Sequence, residues 1–210
     1  PTVDPCDFLI SGWDISDLNL FDAAKRAQVL EPSLLNALRP ELEAIKPLKA
    51  VVNPDFIAAN QADRMNNVFT GTNRECIDKI RSDIARIKSQ VDKVVVLWTA
   101  NTEMMAPEPA SLDELLSNVE KNTALPASLL YCLAAIEEGV LYLNGSPQNT
   151  LMPCVCEYAK QNGSFVAGSD FKSGQTRFKT IMSDFLIGSG IRLSSVVSYN
   201  HLGNNDGKNL

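Results

Sequence analysis

Short apolar runs, each followed by small or polar residues, alternate along this chain with longer segments of helical spacing. That alternation constrains the fold more than any other feature. Runs rich in Val, Ile, Leu and Phe suit strands buried on both faces of a mostly parallel sheet. They lie at 8–11, 50–52, 94–98, 140–143, 165–167 and 195–199. Between them, the spacing predicts a helix over 20–30, stopped by Pro32. Ser111 precedes Glu114 by three residues, as in a capping box opening a helix over 112–120. Helices over 127–138, 150–161 and 176–187 are expected to end at Gly139, near Gly163, and near Gly188 and Gly190. A loop is expected over 65–73 and a charged surface helix over 74–90. Strands alternating with helices predict an α/β fold with a parallel sheet. A break in organisation is expected near Thr176.

Composition narrows the function classes. Nineteen basic and 25 acidic residues give a formal charge of −6, with no Lys/Arg block, so nucleic acid is not an expected partner. No apolar run reaches the length of a membrane span, and no secretory signal opens the chain. The five cysteines are irregularly spaced, and Cys154 and Cys156 lack the two-residue gap of a zinc or redox pair. They read as buried free thiols of a cytoplasmic protein. With His201 as the single histidine, a His-based metal site or a hydrolase triad has little to work with.

The residues that follow the strands carry the functional signal. The first runs lead into Gly12-Trp13-Asp14 and, at the third, Thr99-Ala100-Asn101-Thr102. The fourth leads into Asn144-Gly145-Ser146, the fifth into Gly168-Ser169-Asp170 and the sixth into Asn200-His201. Ligands of open α/β sheets sit outside the carboxyl ends of the strands. Small residues let a ligand approach the backbone, and amides, hydroxyls and carboxylates orient it. Any one of these segments also reads as an ordinary turn; together they predict a binding rim. Lys172-Ser173-Gly174-Gln175-Thr176 combines a hydroxyl, a cation and a helix start, a weak phosphate signal outside the Walker A order. The stretch 200–207 is dense in amide and acid groups around two glycines. No G-x-G-x-x-G fingerprint occurs.

Several of these segments resemble signatures of the inositol-1-phosphate synthase family. They are Ser11 to Ile15, Pro54 to Gln61, Leu97 to Glu103, Asn144 to Thr150, Asp170 to Thr176 and Ser198 to Gly207, in the family's order and across essentially the whole chain. The resemblance implies a Rossmann-like doubly wound parallel sheet, with residues 1–176 as the NAD-binding domain. Residues 177–210 would begin a second α+β domain for catalysis and oligomerisation. It also implies an internal piece of a longer protein, with a glycine-rich loop upstream and catalytic lysines downstream.

The activity implied is NAD-dependent isomerisation of D-glucose 6-phosphate to 1D-myo-inositol 3-phosphate, in inositol and phospholipid biosynthesis, by a homotetramer. NAD would oxidise the sugar, enolisation and aldol closure would follow, and the hydride would return. An NAD-binding but catalytically incomplete fragment, and an ordinary NAD-dependent dehydrogenase, are the alternatives. By matching positions, cofactor contacts are expected from Asp14, Gln61, Arg64, Thr99, Ala100, Asn101, Thr102, Gly145, Asp170, Ser173, Asn204, Asn205 and Asp206. Substrate contacts are expected from Ser173, Gly174 and Asn200, and catalytic roles from Asp170, Asn200 and Asp206. Met104, Met105, Ser169 and Arg177 depart from the family's usual residues.

Overall fold

The computed structural model describes residues 3–172 and 174–197. Its strands are short and all parallel. β1 (Trp13–Asp14) pairs with β2 (Leu48–Lys49), Trp13 facing Leu48, and a bridge from Ala50 to Val68 extends the pairing. β3 (Val95–Trp98), β4 (Leu141–Asn144) and β5 (Val166–Ala167) form a second sheet in that order. Its register sets Val95 against Leu141, Trp98 against Asn144 and Tyr142 against Val166. Each parallel step crosses over through helix, as parallel pairing demands.

The helices are α1 (Leu20–Ala27), α2 (Pro32–Ala37), α3 (Arg39–Ala44), α4 (Asn73–Lys88), α5 (Leu112–Glu120), α6 (Ala127–Glu137), α7 (Pro153–Gln161) and α8 (Gly174–Gly188). Local chemistry explains their ends. Asn19 caps α1 by accepting the N–H of Asp22. Thr72 and Glu75 form a reciprocal capping box on α4: the Thr72 hydroxyl accepts the Glu75 N–H, and the Glu75 carboxylate accepts the Thr72 N–H at 2.7 Å. Proline stands in the first turn of α7, where its missing N–H has no partner to lose. After α6, Gly139 takes a left-handed φ of 66°, and its N–H and that of Val140 close onto Ile136 and Ala135. That Schellman ending needs a residue without a Cβ penalty.

The core is centred on α6. From Ala127 to Ile136 every residue is buried, because the helix packs on α4 and against β4 and has no solvent face. Burying side chains such as Leu129, Leu133 and Ile136 stabilises the fold by about 1.5–3 kcal/mol each. α4 contributes Cys76, Ile77, Ile80 and Ile84 from one stripe. Across its outer face, Arg74 and Arg81 both pair with Glu137 of α6, at 3.0 and 3.2 Å.

Several sequence expectations shift. Residues 8–11 are not a strand: Phe8, Leu9 and Ile10 are exposed, and β1 begins at Trp13. The second strand precedes 50–52, although Ala50 and Val51 are buried as expected. Pro32 does not stop the first helix. α1 ends at Ala27, with Gln28 left-handed at φ 55°, and Pro32 opens α2. α2 and α3 fall between the expected elements, each with a proline in its first turn. The charged helix 74–90 corresponds to α4, whose inner stripe is core. Thr150 precedes α7, which begins at Pro153. Glu114 closes on the Ala110 N–H, so only half of the Ser111 capping box forms. Residues 195–197 are not a strand, and 198–199 lie outside the described residues.

Candidate functional site

β3, β4 and β5 end side by side, and the backbone knits their ends together. The Gly145 N–H donates to the Trp98 carbonyl at 3.0 Å, and the Phe171 N–H donates to the Gly145 carbonyl at 3.2 Å. Beyond them lies a cavity of about 170 Å³ lined by Thr99, Ala100, Asn101, Thr102, Gly145, Ser146, Pro147 and Asp170. Six of the thirteen positions expected to face the cofactor thus meet at one place, on three segments separated by tens of residues.

The backbone there is crowded. A Cβ on Gly145 would stand 2.1 Å from the Phe171 ring and 2.5 Å from the Trp98 carbonyl oxygen. On Gly168, whose φ is 93°, it would stand 2.2 Å from the Asn144 carbonyl oxygen. Only glycine fits at either position. Asp170 has a φ of 103°, a conformation costly for a residue with a Cβ and one that concentrates at binding sites.

Two loops frame the cavity, 99–106 after β3 and 144–150 after β4. Ser146 joins them directly, its hydroxyl donating to the Ala100 carbonyl at 2.8 Å. Asn149 donates its amide to the Ala106 carbonyl at 3.2 Å. Asn144, buried at the end of β4, shapes its own loop by accepting the Ser146 N–H and donating to the Gln148 carbonyl.

Beneath the loops sits Glu103, only 1% exposed. Its carboxylate accepts the N–H groups of Ala127 and Ser128 at 2.8 and 2.9 Å, in the first turn of α6. Burial pushes this carboxyl above the usual glutamate range, opposed by the Ser128 hydroxyl and the two N–H groups. The same Ser128 hydroxyl accepts from Thr150 at 3.0 Å, and its carbonyl accepts the Tyr142 hydroxyl at 3.1 Å. Glu103, Ser146 and Asn144 lie within segments that the sequence singles out, yet nothing in sequence alone gives them these partners.

The remaining expected residues lie apart. Asp14 is exposed at the end of β1, its carboxylate accepting the Ser16 N–H at 2.8 Å. Gln61 and Arg64 occupy a 3₁₀ segment, Ala59–Arg64, and do not line the cavity. The Met104 N–H donates to the Phe56 carbonyl at 2.9 Å, tying the 99–106 loop to the turn before that segment. Gly174 opens α8 and is exposed. Ser173, Asn200, Asn204, Asn205 and Asp206 lie outside the described residues. Among the described residues no group of His, Cys, Asp and Glu side chains could hold a metal ion. Nor is any of the described helices long and apolar enough to cross a membrane.

A family model described as myo-inositol-1-phosphate synthase, an NAD-binding family, matches residues 1–198. The chain belongs to the inositol-1-phosphate synthase family. Inositol-3-phosphate synthase 1 of Oryza sativa subsp. japonica is 50% identical over 217 residues, covering 100% of this chain and 43% of that protein. Inositol-3-phosphate synthase 1-A of Xenopus laevis is 50% identical over 216 residues, covering all of this chain and 38% of its own length. The crystal structure of inositol-3-phosphate synthase from Caenorhabditis elegans superposes with a TM-score of 0.91 at 49% identity, covering 100% of this chain and 42% of that one. The chain therefore spans about two fifths of the relatives it matches. Its parallel α/β architecture is that of the family's Rossmann-like NAD-binding domain.

The residues at the cavity fit one end of a dinucleotide. Gly145 keeps the strand end free of a side chain, and hydroxyl and amide groups from 99–102 stand beside the Asp170 carboxylate. That mixture of close backbone and few polar groups suits a nucleotide cofactor.

Proposed function

We propose that the protein containing this chain is an NAD-dependent isomerase that converts D-glucose 6-phosphate to 1D-myo-inositol 3-phosphate. The observation that carries this reading is the convergence of 99–102, Gly145 and Asp170 on one cavity at the carboxyl ends of three parallel strands, in a chain of this family. NAD, when bound, takes a hydride from the sugar and gives it back, so that no net oxidation occurs.

The chain's own residues bind and orient. The loop 99–102 and Gly145 bring backbone groups and hydroxyls to the cofactor, and Ser146 links the two loops beside it. The Asp170 carboxylate accepts hydrogen bonds from the reacting end of the cofactor or from sugar hydroxyls. Asp14, at the end of β1, suits a ribose hydroxyl. Asn200 and Asp206 act on substrate, Ser173 and Gly174 contact phosphate, and Gln61, Arg64, Asn204 and Asn205 complete the cofactor contacts. Residues 1–176 form the cofactor domain, and 177–210 lead into the catalytic and oligomerisation domain of a cytoplasmic homotetramer.

The test is incubation of the full-length protein with glucose 6-phosphate and NAD, with the inositol phosphate identified directly and absorbance followed at the NADH band. Product without NADH accumulation supports the isomerase. NADH accumulating in step with an oxidised sugar phosphate, and no inositol phosphate, would instead mark an ordinary dehydrogenase. The exact 210-residue chain, run in parallel, separates cofactor binding from turnover.

A further inference from the structure

The first turn of α6 supplies none of the residues that line the cavity, yet both loops end on it. Glu103 reaches it from the loop after β3, through two N–H groups and the Ser128 hydroxyl. Thr150 reaches it from the loop after β4, through the same hydroxyl at 3.0 Å. Ser128 is wholly buried, and Glu103 and Thr150 are 1% and 2% exposed. A carboxyl group so far from water is held because the first turn of α6 supplies its donors. Moving either loop would leave a buried carboxyl or a buried hydroxyl without its partners, so the loops have a single permitted spacing.

We infer that Glu103, with Ser128 and Thr150, is a positioning group that sets the separation of the two cofactor loops and thereby the affinity for NAD. The inference rests on the cavity being the NAD site. Ser146, which bridges the loops at their rim, is 6% exposed and makes one bond across. The clamp below fixes the loop bases where water cannot compete. Supporting residues of this kind hold binding groups to within a fraction of an ångström.

The experiment uses full-length protein and NADH fluorescence titration, alongside steady-state kinetics in NAD and thermal melts. Three variants are compared: Glu103→Gln, Thr150→Val and Gly145→Ala. Ile84→Val, in the core of α4, serves as a control that lowers stability without touching either loop. A positioning role predicts that Glu103→Gln weakens NADH binding by about tenfold or more in protein that remains folded, raising KM for NAD with a much smaller change in kcat. Thr150→Val does the same to a lesser degree, and Ile84→Val lowers the melting temperature while leaving NADH affinity unchanged. If Glu103→Gln does not fold, Thr150→Val decides. Parental NADH affinity in the folded Glu103 and Thr150 variants, with affinity lost in Gly145→Ala, overturns the inference and leaves the site assignment standing. Parental affinity in Gly145→Ala as well overturns both.

Discussion

The indole of Trp13 donates to the carboxylate of Asp83 at 3.0 Å, across 70 residues of sequence. Lys79 and Arg86 lie on the same carboxylate, at 2.5 and 3.5 Å, and the indole edge meets the ring of Tyr131, with centroids 5.1 Å apart. Trp13 begins β1, so α4 anchors the strand that carries Asp14. Trp13→Phe is expected to cost about 1–3 kcal/mol, since it leaves a buried carboxylate short of a donor. Asp83→Ala costs at least as much, and the double variant costs less than the two combined. Urea unfolding of the four proteins in a double-mutant cycle measures that coupling, expected at about 0.5–3 kcal/mol. Strict additivity would show that β1 is held by its sheet partner alone.

Gly168→Ala is expected to be severely destabilising, by about 1–3 kcal/mol or more, because it combines a left-handed φ with a clash against the Asn144 backbone. The loss is expected in thermal melts and in amide exchange of β4 and β5. Gly163→Ala has the same φ problem but open space around it, so the difference between the two variants isolates the clash.

Glu103 gives stability a specific pH dependence. Its carboxyl is raised in the folded protein, chiefly by burial. As pH climbs through the ordinary glutamate range, the unfolded chain ionises first while the folded protein keeps its proton. The contribution of this group is therefore fully present at low pH and lost as pH rises through the folded value. Glu103→Gln has no such proton. As pH rises above the ordinary glutamate range, the stability of the variant relative to the parent should therefore improve, because only the parent loses this contribution. A difference that stays flat with pH would mean that the N–H donors of α6 cancel the burial.

Thiol chemistry should divide the cysteines into two classes. Cys6 and Cys156 are exposed, whereas Cys76, Cys132 and Cys154 are buried and their thiols are pushed up by burial. The thiolate is the reacting species. A chromogenic disulfide reagent at mildly alkaline pH should titrate two thiols promptly and three more only on denaturation. Prompt reaction of Cys132, read by mass spectrometry, would contradict the packing of α6.

Much of this was legible in sequence because it is local. The β-branched run 94–98 and the apolar run 140–143 become β3 and β4 within a residue. Gly139 ends α6 because left-handed backbone is a property of glycine itself. Failures arose where a neighbour decides. Phe8, Leu9 and Ile10 have strand composition but no adjacent strand among the described residues, so they do not form one. Pro32 is equally compatible with ending one helix and opening the next, and the left-handed Gln28 settled it. Thr72 and Glu75 carry the capping box that spacing also offered to Ser111 and Glu114.

By itself the sequence determined the parallel α/β alternation, the family, and which strand ends are small and polar, since these depend on residue type and order along the chain. Tertiary structure decided which of those ends meet. Thr99, Gly145 and Asp170 share a cavity because the register of β3, β4 and β5 places their ends level, and register is a property of paired strands. The role of Glu103 is also tertiary: a glutamate reads as a surface residue until the N-terminus of a buried helix, 24 residues further on, supplies the donors that let it stay out of water.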